Sequence, residues 1–571
     1  MSTPAFDALT SVDGGLLWLE SDEHGTHLRR WTADAGTARL TPPGVEVGNS
    51  LHAYGGGAYT AHADAVWFSE AGADRVRQLL LRPEPHLASE HLTAAPGGPG
   101  DLVCFAGELF GVQEHDDSDT VTVWDLASGQ ARDLLSSPGF LAAPRPAPGK
   151  LAWMSWSADV MPWDSAQLWC GDYTPDEQVT GARRVAGGPR EAVAEPRWGP
   201  DGSLYFVSDR TGWMNLYRFD GRQAHTVVEL DAECAAAGWE LGYSSYAFLP
   251  SGTIAVIARR GPRDRLVLVE QGEAREVELP FTSIKPYLAV TGDRVAMIAA
   301  TPLTAPAVVL VDPDGAFEVI AGPPPPAAPP AAGPVLDSTG GVTYLLHLPE
   351  QAGPVPLIVR AHPGPTDGIT CRRDAFIDHF TRHGFAVADV DYRGSTGYGR
   401  AYRQALYRRW GLDDVADCAT VAQHLIASGV TTAGQVIVMG ASAGGYTALH
   451  AASSPGPFVA AIARSPITDP KAWAASVPRF QRAHALALDG GAGRVRAEEV
   501  RVPVLLVHGA HDPITPASGT LALARDLQDR HAPVEVLLLD TDSHTLSSPH
   551  LADAVLAAEL RFARRVLGLG Q

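Results

Sequence analysis

Residues 440–445 read Gly440-Ala441-Ser442-Ala443-Gly444-Gly445, a serine among residues with little or no side chain. The apolar run Val436-Ile437-Val438-Met439 precedes it, and an Ala/Leu/His stretch from Ala443 to about Ala452 follows. That order predicts a strand, a sharp turn and a helix. Such a turn is strained and crowded by neighbouring strands, so only small residues fit beside the serine it presents. A serine hydroxyl is a poor nucleophile by itself. The pattern therefore predicts a histidine to take its proton and a carboxylate to hold that histidine, in the chain order Ser, Asp, His.

Both partners are found downstream. Val502-Pro503-Val504-Leu505-Leu506-Val507 is an unbroken apolar run, the pattern of a strand buried on both faces of a parallel sheet, and it ends in His508-Gly509-Ala510-His511-Asp512. Asp512 thus falls on a loop at the carboxyl end of a strand, where open α/β sheets place their chemistry. A second run, Val534 to Leu539, leads into Asp540-Thr541-Asp542-Ser543-His544. His544 is the candidate base; Asp540 and Asp542 compete with Asp512 for the carboxylate role.

At 571 residues the chain exceeds what one hydrophobic core organises, and two to four domains are expected. With 45% hydrophobic residues, 19% charged residues and a net charge of −21, it reads as a soluble acidic protein, which argues against nucleic-acid or anionic-membrane partners. No run of about twenty apolar residues occurs, and the amino terminus lacks the basic and apolar regions of a secretion signal. Five scattered cysteines without CxxC spacing fit free thiols in a reducing cytoplasm and give no metal site. A cytoplasmic location and no cofactor are the resulting expectations.

The Pro/Ala-rich stretch at 321–334 donates few backbone hydrogen bonds and reads as a semi-rigid linker. It separates an all-β part, residues 1–320, from an α/β part, residues 335–571. The first part repeats a Gly-bearing turn followed by an apolar or aromatic strand. Its strand residues Leu17, Val66, Leu109, Leu151, Leu204, Ile254 and Val295 are spaced 41 to 53 residues apart. That period belongs to β-propeller blades, and seven copies predict seven blades. The second part alternates buried-type strands with helices, predicting a doubly wound, mostly parallel sheet.

Longer phrases carry a resemblance. Asp391-Tyr392-Arg393-Gly394-Ser395-Thr396-Gly397-Tyr398-Gly399, Trp410-Gly411 with Asp413, Asp414 and Asp417, and Met161-Pro162-Trp163-Asp164 resemble phrases of the prolyl oligopeptidase family of serine peptidases. So does Ser208-Asp209-Arg210-Thr211-Gly212-Trp213. The likeness is to its acylaminoacyl-peptidase and dipeptidyl-aminopeptidase-like branch, whose architecture is a propeller followed by an α/β-hydrolase domain. The resemblance implies an oxyanion hole made by the amides of Ala443 and of Gly364, the latter in His362-Pro363-Gly364-Pro365, with His362 beside it. Pro363 departs from the family, which has glycine there.

Substrate residues are implied in the same way. Tyr446, Trp473 and Phe480 are candidates for lining an apolar pocket, and Glu233 matches a family acidic residue able to pair with a substrate ammonium. Gln481 stands where the family has an acidic residue, which weakens recognition of a free α-amino group. The expected function is a serine hydrolase acting on oligopeptides or small amides and esters, with access restricted by the propeller. An esterase, deacylase or acyl-transferring cyclase is the nearest alternative, and a catalytically inactive propeller binding module is the other. Homo-oligomerisation is left open.

Overall fold

The recurring phrase forms the second strand of the first six blades and the third strand of the seventh. In the computed structural model, which describes residues 4–81, 84–326 and 333–570, seven antiparallel sheets follow one another along the chain: 5–39, 59–93, 100–137, 140–187, 193–226, 246–276 and 283–321. Six have four strands in sequential order, and the seventh has five. Leu17, Val66, Leu109, Leu151 and Leu204 each sit fully buried on a second strand. The repeating glycine has a local cause: the hairpin before that strand needs a left-handed residue, supplied by Gly202 (φ 74°) and Gly252 (φ 90°). In the second blade Ala63 takes that conformation instead (φ 50°).

Each blade is built from contiguous chain, so the first and last blades meet through side chains. Ser11 Oγ donates to the Val290 carbonyl (2.8 Å), and Lys285 Nζ pairs with Asp7 Oδ2 (2.7 Å).

By compactness the chain divides into two units, Met1–Pro325 with Pro478–Ala483, and Pro326–Val477 with His484–Gln571. The cut falls inside the expected linker, whose residues 327–332 lie outside the described residues. Pro478–Ala483 departs from the expected span of the α/β part. Its side chains explain why: Phe480 stacks on His52 (5.4 Å) and packs edge-on to Phe140 (5.6 Å), while Arg479 lies over the Phe140 ring (4.0 Å) and pairs with Glu114 and Asp119.

The second unit holds an eight-stranded sheet: Val335–Thr339 (β1), Val342–His347 (β2), Leu357–Ala361 (β3), Ala386–Asp391 (β4), Val436–Ala441 (β5), Ala460–Arg464 (β6), Val504–Gly509 (β7) and Val534–Leu539 (β8). The spatial order is β1-β2-β4-β3-β5-β6-β7-β8, and only the pairings of β2 with β1 and with β4 are antiparallel. Helices cover both faces, among them Ala375–Arg382 (α1), Asp413–Ala427 (α2), Ala443–Ser453 (α3), Ala517–Asp529 (α4) and Pro549–Val566 (α5). Along β5 the residues alternate between two cores. Val436 and Val438 pack with Tyr446 and Leu449 of α3, and Ile437 and Met439 pack with Phe376 and Phe380 of α1. That two-sided burial is what makes the run apolar throughout. The winding order reverses between β3 and β5, so the loops leaving these two strands frame a crevice.

His450, on α3, is buried, with Nε2 3.2 Å from the Gly493 carbonyl. Burial lowers its imidazole to about 4. The unfolded chain therefore takes up a proton near pH 6.5 that the folded chain refuses until about pH 4, and stability falls across that window as pH drops. His450→Gln, neutral throughout, is expected to flatten the dependence by up to about 3 kcal/mol. Denaturant unfolding of both proteins at pH 7 and pH 4 checks this.

Candidate active site

Ser442 closes β5 and caps α3 with φ 52° and ψ −116°, a backbone conformation that bulky L-residues avoid. The surrounding glycines are required by contact. A Cβ on Gly440 would lie 2.0 Å from the Gly444 carbonyl oxygen, and one on Gly444 would lie 2.4 Å from the Ala361 carbonyl oxygen. The turn is locked to β6 on its other side, since Ser442 N donates to the Arg464 carbonyl (2.9 Å).

Asp512 and His544 are joined. Asp512 Oδ2 accepts from His544 Nδ1 at 2.7 Å, while its Oδ1 accepts from the amides of Ile514 (2.8 Å) and Thr515 (3.1 Å). Burial by itself raises this carboxyl. Hydrogen bonds from His508 and His544 outweigh burial and hold Asp512 well below the usual carboxylate range. An ionised Asp512 fixes the imidazole proton on Nδ1 and leaves Nε2 as the basic nitrogen. Asp540 pairs with His511 (3.0 Å) on the surface, its side chain 96% exposed, so it does not compete for His544.

Two residues that the motif reading passed over hold the loops together. Ser465, directly after β6, donates through Oγ to the His544 carbonyl (3.0 Å) and through its amide to the Val507 carbonyl (2.7 Å). Thr515 Oγ1 lies 2.9 Å from Asp512 Oδ2 and 3.0 Å from the Ser465 carbonyl. The serine, aspartate and histidine loops leave β5, β7 and β8, and Ser465 and Thr515 tie the latter two to β6. Thr515 carried a local signal, an Asp followed three residues later by a Thr. Ser465 carried none, because its partners are 79 and 42 positions away.

The oxyanion residues are placed less simply. Strand β3 delivers His362-Pro363-Gly364 beside the elbow, and the Ala443 amide donates to the Pro363 carbonyl at 3.1 Å. One expected donor is thus already engaged within the protein. His362 is buried, stacked on Tyr392 (4.1 Å, 10°), with Nε2 2.7 Å from Ser395 Oγ. The Tyr392 hydroxyl donates to the His362 carbonyl (3.0 Å). His362 therefore anchors the loop. The Asp391–Gly399 phrase supplies that anchor. Arg393 extends it to α2 through Asp417 (2.8 Å) and Asp413 (3.1 Å), and Asp414 accepts from Thr447 of α3 (2.5 Å).

Of the expected pocket residues, Tyr446 is corrected to core. It is fully buried between Trp410 (4.1 Å) and His450 (4.4 Å), its hydroxyl donating to the Gly493 carbonyl (2.7 Å). Trp473 does line a cleft, of about 310 Å³, with Ile467, Asp469, Arg494 and Thr515. Phe480 is buried in the core of the first unit. Glu233 is buried there too, its carboxylate accepting from the Met214 amide (2.9 Å) and its backbone paired with Arg259. Gln481 donates through Nε2 to the Tyr54 hydroxyl. Among the described residues no cluster of three His, Cys, Asp or Glu side chains is arranged to hold a metal, and no helix is long and apolar enough to cross a membrane.

Comparison with known proteins fits this geometry. Residues 374–570 match the family described as the Prolyl oligopeptidase family. An acylamino-acid-releasing enzyme of Arabidopsis thaliana is 29% identical over 213 residues, which is 34% of this chain; the match spans only 28% of that relative's length. Among solved structures, a puromycin hydrolase superposes with a TM-score of 0.90 at 27% identity, and a Mycobacterium tuberculosis puromycin-hydrolyzing peptidase with 0.89 at 26%. Each of these two covers 100% of this chain and 95% of the other.

Proposed function

Because residues 374–570 match the Prolyl oligopeptidase family, we propose that this chain is a serine peptidase that hydrolyses short peptides or acylated amino acids through an acyl-enzyme on Ser442. The observation that carries the reading is the 2.7 Å His544–Asp512 bond on loops held beside a strained Ser442 elbow. His544 Nε2 takes the Ser442 proton as Oγ attacks the scissile carbonyl, and then passes it to the leaving amine. Water repeats the sequence and frees the acyl group. Asp512 stabilises the imidazolium of both steps, and backbone amides of Ala443 and Gly364 hold the oxyanion. The five cysteines are free thiols, which suits a reducing compartment such as the cytoplasm.

The two residues that the resemblance links to amine recognition bear on substrate choice. Gln481 carries no charge where the family has an acidic residue, and Glu233 is buried within the first unit. A free α-ammonium needs a paired carboxylate when desolvated, so N-blocked substrates are favoured. A panel of aminoacyl anilides, N-acyl-aminoacyl anilides, puromycin and p-nitrophenyl esters tests this. We expect N-acyl anilides to give kcat/KM at least tenfold above their unblocked counterparts. Hydrolysis of esters alone would replace the peptidase reading with an esterase, and absence of fluorophosphonate labelling in folded protein would remove both.

A further inference from the structure

The amide of Ala443 is capped by the Pro363 carbonyl at 3.1 Å. That carbonyl belongs to the same peptide plane as the Gly364 amide, and in a trans peptide C=O and N–H point in opposite directions. While the carbonyl faces Ala443, the Gly364 N–H faces away from it. A single peptide thus explains why neither expected donor is presented.

The chain on either side of this peptide is fastened. His362 is held by Tyr392 and Ser395, the Thr366 amide donates to the Gly394 carbonyl (2.8 Å), and the Asp367 carbonyl accepts from Thr396 (2.7 Å). Between these anchors, rotation requires only ψ of Pro363 and φ of Gly364. The proline ring fixes φ but leaves ψ free, and glycine tolerates φ of either sign. There is room for the turn. A cleft of about 360 Å³ runs along His362, Pro363, Gly440 and Ala441, and a Cβ built on Gly364 finds nothing nearer than Asp367 Cβ at 3.8 Å.

We propose that the Pro363–Gly364 peptide is the shutter of the oxyanion hole. At rest its carbonyl satisfies the Ala443 amide; as negative charge develops on the substrate oxygen, the peptide turns over, releasing Ala443 N–H and bringing Gly364 N–H to the same oxygen. The exchange removes a repulsive carbonyl and adds a donor in one motion, so the gain falls on the transition state rather than on substrate binding. Pro363 acts here as a positioning residue. The inference rests on the hydrolase reading above.

Crystals of the free enzyme and of its adduct with a peptidyl boronic acid test it. The expected result is Pro363 O on Ala443 N in the free enzyme, and both amides on a boronate oxygen in the adduct. An adduct that retains the Pro363–Ala443 bond, or a free enzyme with Gly364 N–H already turned inward, overturns it. In solution, Gly364→Ala has room for its methyl group and is expected to melt like wild type. Its kcat falls about 10²-fold with KM little changed, and boronate affinity weakens by a similar factor. Unchanged kcat counts against the shutter. Fluorophosphonate labelling of wild-type Ser442 separates the two failures: labelling with a peptide that does not turn sinks the shutter alone, whereas no labelling sinks the hydrolase reading with it.

Discussion

Ser442→Ala lowers kcat on the best amide substrate by about 10⁵-fold or more, and abolishes fluorophosphonate labelling, while leaving the melting temperature near that of wild type. The size of the effect follows from the chemistry: without Oγ there is no acyl-enzyme, and what remains is water attacking a bound, polarised carbonyl. Persistence of the fold follows from the elbow. The φ of 52° is imposed by β5, by Arg464 through the Ser442 amide and by the close approach of Gly440 to Gly444, and alanine meets those constraints with the same Cβ. Serine and alanine also differ little in what they demand of a half-buried turn. Stopped assays, gel-based labelling and thermal melts of the variant check the three parts separately. Residual hydrolysis above 1% with a normal melt would place the nucleophile elsewhere.

What could be read from the sequence depended on whether the signal was local. The seven blades were legible because each hairpin needs a turn residue next to a buried strand, and both lie within a few positions. The elbow was legible for the same reason, as was the order Ser442, Asp512, His544, each placed just after an apolar strand. Side chains whose meaning depends on distant backbone were not. Ser465 became visible as a bridge only when its bonds to His544 and Val507 were placed. Tyr446 follows a nucleophile motif and suggested a pocket, yet α3 turns it into the core against Trp410. Pro478–Ala483 lies in the middle of the α/β sequence but packs with the propeller unit, because Phe480 finds its aromatic neighbours among the residues around His52 and Phe140. The Asp391–Gly399 phrase was recognisable only by resemblance. Its physical task, holding His362 and through it the Pro363–Gly364 peptide, needed the coordinates.

Asp512→Asn is expected to cost about 10⁴-fold in kcat with the fold retained, and the hydrogen bonds around the carboxylate say why. Oδ1 accepts two backbone amides, from Ile514 and Thr515, and an asparagine keeps those bonds only by placing its carbonyl oxygen there. Its NH₂ then occupies the Oδ2 position, 2.7 Å from His544 Nδ1. Nδ1 must now accept, the imidazole proton moves to Nε2, and the nitrogen that should take the Ser442 proton already carries one. The loss therefore comes from a reversed tautomer rather than a displaced ring. Asp540→Asn serves as the control, because its carboxylate pairs with surface His511 and its removal should change kcat less than twofold. Stability carries an independent signature. The Asp512 carboxyl is held below its unfolded value, so the stability it contributes is full above the ordinary carboxylate range and lost as pH falls toward its folded value. The asparagine variant should accordingly be less stable than wild type at pH 7, with the gap narrowing below about pH 4, where the unfolded wild-type carboxylate takes up a proton. Denaturant melts at pH 7 and pH 3 measure that gap, and an equal difference at both would mean that Asp512 is not held as an ionised acceptor.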